Sequence, residues 1–240
     1  MTGLAWKGAP PGVRVRFTTR LGGVSEGAFA SLNLGLLTDD EPERVVENRR
    51  RACEAAGVDP ETATMALQVH GARVTEARPR GVVTPGTDYE PCDGLWSDRP
   101  GQGMLLVTAD CLPVALARAN GTPRLAVLHV GWRGLLAGIA AEGVRAVGEG
   151  AVGALGPGIG PCCYEVGEDV AAPFRERFGP DVVRDGRLDL PLATERALRE
   201  AGVGSVERVG GCTACDPERF FSHRRDQGRT GRQGVVAALA

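Results

Sequence analysis

Residues Thr108 to Gly134 read T-A-D-C-L-P-V-A-L-A-R-A-N-G-T-P-R-L-A-V-L-H-V-G-W-R-G. Two apolar runs, Pro113 to Ala117 and Leu125 to Val130, flank Asn120-Gly121, with Thr122-Pro123 behind it. That pattern predicts two strands around a turn, a hairpin. Cys111 stands at one end of the hairpin and His129 near the end of its second run. Gly131-Trp132-Arg133-Gly134 then opens a helix expected from about Leu135 to Val147.

Moving outward, Gly103 to Ala109 is an apolar strand that ends at Asp110-Cys111. Met65 to Val69 reads as a short strand delivering His70, and Arg73 to Ala77 as another. Pro79 to Asp93, with Pro85-Gly86 inside it, reads as a loop. Val13 to Thr19 alternates Val, Arg, Val, Arg, Phe, a half-exposed strand pattern. A helix is expected over Glu41 to Ala56, with Asp40 as its cap and Glu43 completing a D-x-x-E box. Val45, Arg49, Ala52 and Ala56 fall on one helical face. Later elements are a strand at Ala151 to Leu155, a helix at Glu168 to Phe178 and a strand at Leu188 to Leu190. They continue with a helix to Ala201 begun by Pro191, a strand at Val206 to Gly210, a helical turn in Pro217 to Arg224 and a final strand at Gly231 to Leu239. Hairpins mixed with helices predict one α/β or α+β domain over residues 1–240, with a mixed sheet and not a doubly wound parallel one.

The chain has 240 residues, enough for a full core without disulfides. A net charge of -2 argues against a nucleic-acid binder working by bulk electrostatics. No apolar run approaches the ~20 residues that span a bilayer, and the first residues lack a signal-peptide layout. A cytoplasmic location, no membrane partner and no nucleic-acid partner are expected. Seven cysteines, an odd count, disfavour a closed disulfide framework.

His70, Cys111 and His129 each stand where a strand gives way to a loop, so three distant residues can share one pocket. Two imidazoles and a thiol can hold zinc and leave its fourth position open. The rival reading makes Cys111 a thiolate nucleophile beside a histidine that Asp110 or Asp93 orients. A plainer one makes Cys111 a buried apolar residue and each histidine satisfied by a carbonyl. Cys212-Thr213-Ala214-Cys215 is a lone C-x-x-C; Cys162-Cys163 supplies the count for a four-cysteine site, but the spacing does not demand one, and all four read as inert. Gly156 to Pro161 is glycine-rich without the Lys-Ser/Thr of a P-loop. Arg133, at a helix start, suits a phosphate or carboxylate.

R-F-T-T-R-L-G-G-V-S, S-L-N-L-G, Q-V-H-G, D-G-L-W-S-D-R-P-G, T-A-D-C-L-P-V, H-V-G-W-R-G, G-P-G-I-G-P-C-C-Y-E-V-G and F-F-S-H-R-R-D…T-G-R occur in this order. Together they resemble the YfiH family, whose members carry the labels laccase domain and multicopper polyphenol oxidase. The resemblance covers about the whole chain. It implies an α/β sandwich with mixed sheets flanked by helices, similar to a bacterial cytotoxic deamidase. It implies zinc held by His70, Cys111 and His129, with copper also accepted by such a donor set. It implies phosphorolysis of adenosine, inosine and methylthioadenosine with phosphate, giving free base and (methylthio)ribose 1-phosphate, together with adenosine deamination. A monomer or homodimer is expected. Arg20 and Arg133 are candidates for anion contacts, and Asn33, Gln68 and Asp93 for hydrogen bonds to ribose or base.

Copper-dependent polyphenol oxidation fits poorly. A multicopper oxidase needs a blue-copper site and a further histidine-rich cluster, and this chain has three histidines. Many relatives also place a histidine after S-L-N-L-G. Here Leu36-Leu37-Thr38-Asp39-Asp40 follows, so either that histidine is not catalytic or the activity is altered. Gln227 reads as a small insertion.

Overall fold

A computed structural model describes residues 3–81 and 89–240; Pro85-Gly86 of the expected loop lies outside them. In chain order the elements are β1 (Gly3–Ala5), β2 (Val13–Thr18), α1 (Pro42–Ala55), β3 (Val74–Glu76), β4 (Gly94–Ser97), β5 (Met104–Thr108), β6 (Leu112–Arg118) and β7 (Leu125–Val130). There follow α2 (Trp132–Leu136), α3 (Ile139–Val147), β8 (Ala151–Leu155), α4 (Glu168–Phe178), β9 (Val183–Arg184), β10 (Arg187–Leu188), α5 (Leu190–Glu200), β11 (Val206–Arg208) and β12 (Gln233–Leu239).

The expected hairpin forms, with Val114 opposite Leu128 and Leu116 opposite Ala126. It is the centre of a six-stranded mixed sheet ordered β11-β8-β6-β7-β4-β3, in which only the two outer pairs are parallel. An antiparallel four-stranded sheet, β1-β2-β12-β5, stacks on it. The strand period of two divides the core. Leu112, Val114 and Leu116 point to α2–α5, where Ile139, Phe174 and Leu198 meet them. Ala115, Ala117, Val127 and Leu125 point the other way, onto Phe17, Met104, Leu106 and Val235 of the second sheet. Leu105, Val236 and Ala238 face outward from that sheet onto Ala52 and Cys53 of α1. The result is four layers: one helix, two sheets and a helical face. This is the mixed α/β sandwich that the motifs imply. Leu116 is wholly buried, and truncating such a side chain to alanine costs about 2–5 kcal/mol.

Several local expectations fail for physical reasons. Residues 65–69 form no strand; Thr64 and Leu67 make only single bridges, to Met104 and Pro91. The Gln68 amide takes the place of a strand partner, donating to Val107 O at 2.7 Å and accepting from Val107 N–H at 3.0 Å. A side chain thereby closes the edge of β5. The helix expected from Leu135 begins at Trp132 and breaks at Gly138, whose φ of +94° no other residue type adopts cheaply. Asp40 does not cap α1; its Oδ2 accepts from Ser25 Oγ and Asn33 Nδ2, while Glu41 holds the N-cap position with no side-chain bond. Leu190 belongs to α5 and not to a strand, and its cap is Asp189, which accepts from Leu192 N–H. Residues 217–224 form turns, not helix.

Candidate functional site

The loop after residue 69 and the ends of β5 and β7 converge on one point. His70, Cys111 and His129 place one ligand atom each within 4.8 Å of one another, and the two imidazoles meet edge to face with centroids 4.8 Å apart. His70 itself and Asp110, the residue before Cys111, are in backbone conformations that L side chains rarely adopt, at φ 60° and φ 88°. Strain of this kind persists only where surrounding bonds over-determine it, and it clusters at functional sites.

The bonds that hold His70 are visible. The Asp93 carboxylate, wholly buried, accepts backbone N–H bonds from Val69 (3.1 Å), His70 (2.9 Å) and Gly71 (2.7 Å). Its Oδ1 also lies 2.8 Å from His129 Nδ1. One carboxylate thus fixes the loop that carries the first imidazole and the ring orientation of the second, leaving His129 Nε2 to face the site. Asp110 is held from three directions. Its Oδ1 accepts from Thr213 Oγ1 (2.6 Å), its Oδ2 from Arg224 N–H (2.7 Å), and its carbonyl from Ile159 N–H (2.8 Å).

H-V-G-W-R-G owes its glycines to the same packing. A Cβ on Gly131 would lie 3.1 Å from Cys111 Sγ and 3.2 Å from His70 Cδ2, and one on Gly134 would lie 2.7 Å from Gly71 O. The His70 loop can close over α2 only because these positions carry no side chain.

The charges are coupled. Burial opposes a Cys111 thiolate, but the adjacent His129, as charge and hydrogen-bond donor, and His70 outweigh it and bring the thiol down to about 6. Burial opposes a charged His129 as well, and Cys111 and Asp93 outweigh that and raise it to about 9. Burial also disfavours an Asp93 carboxylate, yet the His129 and amide donors keep it below the usual range. Donor type, convergence and a buried carboxylate behind one imidazole together suit a zinc-type ion.

The three residues open into a cavity of about 590 Å³, within the usual range for small-molecule sites. Gln68 and Arg133 line it; Arg133 stacks on Trp132 at 4.3 Å. Arg20, Asn33 and Asp93 are not among its lining residues. Arg20 donates to Ala30 O and Pro217 O and lies over Phe221. Buried Asn33 bonds Thr38, Asp40, Gly35 and Arg232, and so shapes the cavity rim from behind.

Sequence reasoning passed over Arg49, Arg232 and Tyr164, all on the cavity wall, where Arg224 also stands. Arg49 is 3 % exposed; its Nε donates to Leu34 O, while its Nη1 is buried with no hydrogen-bond partner among the described residues. Burial lowers both Arg49 and Arg232 from the usual guanidinium value. The signal for Arg49 was present: a charged residue falls on the apolar stripe of α1, between Val45 and Ala52. Leu36, Leu37 and Thr38, which follow the S-L-N-L-G segment, form part of the rim, and Leu37 is 76 % exposed. Gln227 sits in a left-handed turn at φ 52°. Among the described residues, no helix is long and apolar enough to cross a membrane.

Residues 14–240 match the family described as multi-copper polyphenol oxidoreductase laccase. A Pseudomonas aeruginosa protein named purine nucleoside phosphorylase is 41% identical over 236 residues, 93% of this chain and 92% of that protein. The Escherichia coli purine nucleoside phosphorylase YfiH is 38% identical over 234 residues, 93% and 92% of the two chains. Among solved structures, YlmD of Geobacillus stearothermophilus superposes with a TM-score of 0.88 at 35% identity, covering 99% of this chain and 96% of that one. The Bacillus licheniformis hypothetical protein YfiH gives 0.90 at 31% identity, covering 100% and 97%. With its motifs, its layered sheets and these relatives in agreement, the chain belongs to the laccase-domain family that includes YfiH and YlmD.

Proposed function

We propose that the protein is a zinc-dependent purine nucleoside phosphorylase, cleaving adenosine, inosine and methylthioadenosine with phosphate, and that adenosine deamination is a second activity of the same site. The observation that carries this reading is the meeting, in one cavity, of His70, Cys111 and His129 with four guanidinium groups, Arg49, Arg133, Arg224 and Arg232. A dianionic co-substrate needs such cations, and the buried Arg49 and half-buried Arg232 bind it without first shedding a full water shell. The names of the relatives support the same reaction.

In this reading His70, Cys111 and His129 would hold zinc, which when bound would supply Lewis acidity. Arg49 and Arg232 hold the phosphate against the ribose face. A phosphate oxygen forms a bond to C1′ as the bond from C1′ to the purine nitrogen breaks, through an oxocarbenium-like state. The electron pair leaves with the base, which must be protonated or hydrogen-bonded. Burial, then the negative charge of Cys111, raises the Tyr164 phenol to about 12, so it stays protonated and offers an O–H to the base. The flat Trp132 ring and Leu36 and Leu37 give the cavity an apolar side against which a purine could pack.

Purified protein incubated with inosine should release hypoxanthine only when phosphate is present, and Cys111→Ala should abolish the release. Activity in protein free of metal would overturn the zinc reading.

A second reading has its own observation. Cys111 at about 6 beside His129 at about 9, with Asp93 behind the ring, is the charge state of a cysteine nucleophile and its imidazole. Turnover of an amide or ester that iodoacetamide blocks, with no base released from any nucleoside, would establish that hydrolase instead.

A further inference from the structure

Cys162, Cys163, Cys212 and Cys215 were the four cysteines that spacing left inert. The structure gathers them. Their sulfur atoms all lie within 4.8 Å of one another, and Cys215 Sγ is 3.3 Å from both Cys162 Sγ and Cys163 Sγ. All four are free thiols. A tetrahedral ion with metal–sulfur bonds of about 2.3 Å has sulfur–sulfur edges of about 3.8 Å. The two 3.3 Å pairs lie just inside that edge and no pair exceeds 4.8 Å, so small shifts of the sulfurs would seat the ion.

The scaffold beneath the sulfurs is fixed before any ligand arrives. The turn at residues 161–163 and the turn at residues 213–215 approach from two loops far apart in sequence. A backbone bridge joins Gly158 to Cys212, and Thr213 N–H donates to Gly158 O at 3.0 Å. The Gly160 N–H points at Cys212 Sγ, 3.2 Å away, a donor that favours a thiolate there. Gly160 also leaves the needed room: a Cβ would sit 3.3 Å from Cys212 Cβ and 3.4 Å from Cys162 Sγ.

We propose that these four cysteines form a second metal site, a closed tetrathiolate site that takes a zinc-type ion and serves structure, not catalysis. Four thiolates fill the coordination sphere of such an ion, so no position remains for substrate. None of the four lines the cavity, but the loops they would join do. Tyr164 follows Cys163 directly, and Thr213, between Cys212 and Cys215, anchors Asp110 beside Cys111. Downstream of Cys215, His223 and Arg224 reach the cavity wall. The ion would act as a staple, holding one wall of the cavity in register with the thiol at its base.

The test uses the full chain, prepared under reducing conditions, in three forms: wild type, Cys111→Ala, and the double variant Cys212→Ser/Cys215→Ser. Each is stripped of metal and titrated with Co²⁺, then with Zn²⁺. Cys111→Ala should still take up one equivalent of Co²⁺, with the intense thiolate charge-transfer and d–d bands of a four-sulfur tetrahedral site. The double variant should lose that spectrum and keep only the weaker one of a single-thiolate site. Where the double variant does not accumulate, the Cys111→Ala titration decides alone. A Cys111→Ala protein that folds yet shows no four-sulfur spectrum would overturn the proposal. So would a disulfide among these four cysteines in peptide maps of the untreated protein.

Discussion

His70, Cys111 and His129 line a cavity and mix two imidazoles with one thiol. Cys162, Cys163, Cys212 and Cys215 sit off that cavity, where two loops meet, and bring thiols alone. The first set has a buried carboxylate behind one imidazole, strained backbone at His70 and at Asp110, and arginines across an open space. The second has none of these; its supports are backbone contacts, among them the Gly158–Cys212 bridge, the Thr213 N–H bond to Gly158 O and the Gly160 N–H at Cys212 Sγ. Three ligands with tuned neighbours leave room for a reacting molecule, whereas four matched ligands consume all the room they make. Cysteine content alone therefore does not separate a reactive centre from a staple. What separates them is whether the shell behind the ligands is arranged to adjust charge or only to fix position.

The contrast can be broken most forcefully at Cys111. Cys111→Ala should lower kcat/KM for phosphorolysis by ~10³-fold or more, equivalent to about 4 kcal/mol of transition-state stabilisation. An equal loss in Cys212→Ser/Cys215→Ser would erase the distinction between the two clusters. Next comes the carboxylate. Asp93→Asn leaves the His129 ring without its charged partner, so affinity for Zn²⁺ at the first site should fall about 10- to 100-fold in a chelator competition. Arg49→Lys follows. It keeps a charge but loses the fork, and the KM for phosphate should rise roughly 10-fold while the nucleoside KM changes less.

The charge coupling gives a pH signature in metal-stripped protein. Cys111 is depressed to about 6 and His129 raised to about 9. The contribution of Cys111 to stability is fully present above the usual thiol value and is lost as pH falls through about 6. That of His129 is fully present below the usual imidazole value and is lost as pH rises through about 9. The thiolate–imidazolium pair therefore spans about 6 to 9. Alkylation of the Cys111 peptide by iodoacetamide, followed by mass spectrometry, should titrate near 6, and Zn²⁺ should protect it. A midpoint near the ordinary thiol value would show that the ion pair does not form. The smallest effects come from a matched pair of glycines. Gly131→Ala should weaken metal binding several-fold at the His–Cys–His set alone, and Gly160→Ala should do so at the four-cysteine set alone, both without loss of fold.

Much of this was legible in the chain. The β6–β7 hairpin shows itself through two apolar runs and an Asn-Gly turn, and β8 and α4 have the bounds that the residues suggest. His70, Cys111 and His129 are conspicuous because histidines are scarce and each follows an apolar run. The rest depends on distance in space. Nothing local says that the Gln68 amide pairs with Val107, so residues 65–69 read as a strand. Asp93 and Asn33 read as substrate contacts because a polar residue near a motif looks available; the fold spends both on backbone N–H groups. The four-cysteine cluster joins loops some fifty residues apart, a closure that pairwise spacing does not encode.

The order of strands in the smaller sheet has a consequence in time. β12 lies between β2 and β5, and Gly234 N–H bonds the Thr18 hydroxyl across 216 residues of chain. During synthesis β2 and β5 emerge early and wait with unpaired edges until residues 233–239 leave the ribosome. β5 carries, through Thr108, the approach to Cys111, so that thiol reaches its final surroundings only when β12 slots in. A nascent chain therefore cannot present a finished site, and the half-built sheet is the stretch that most needs shielding from other chains.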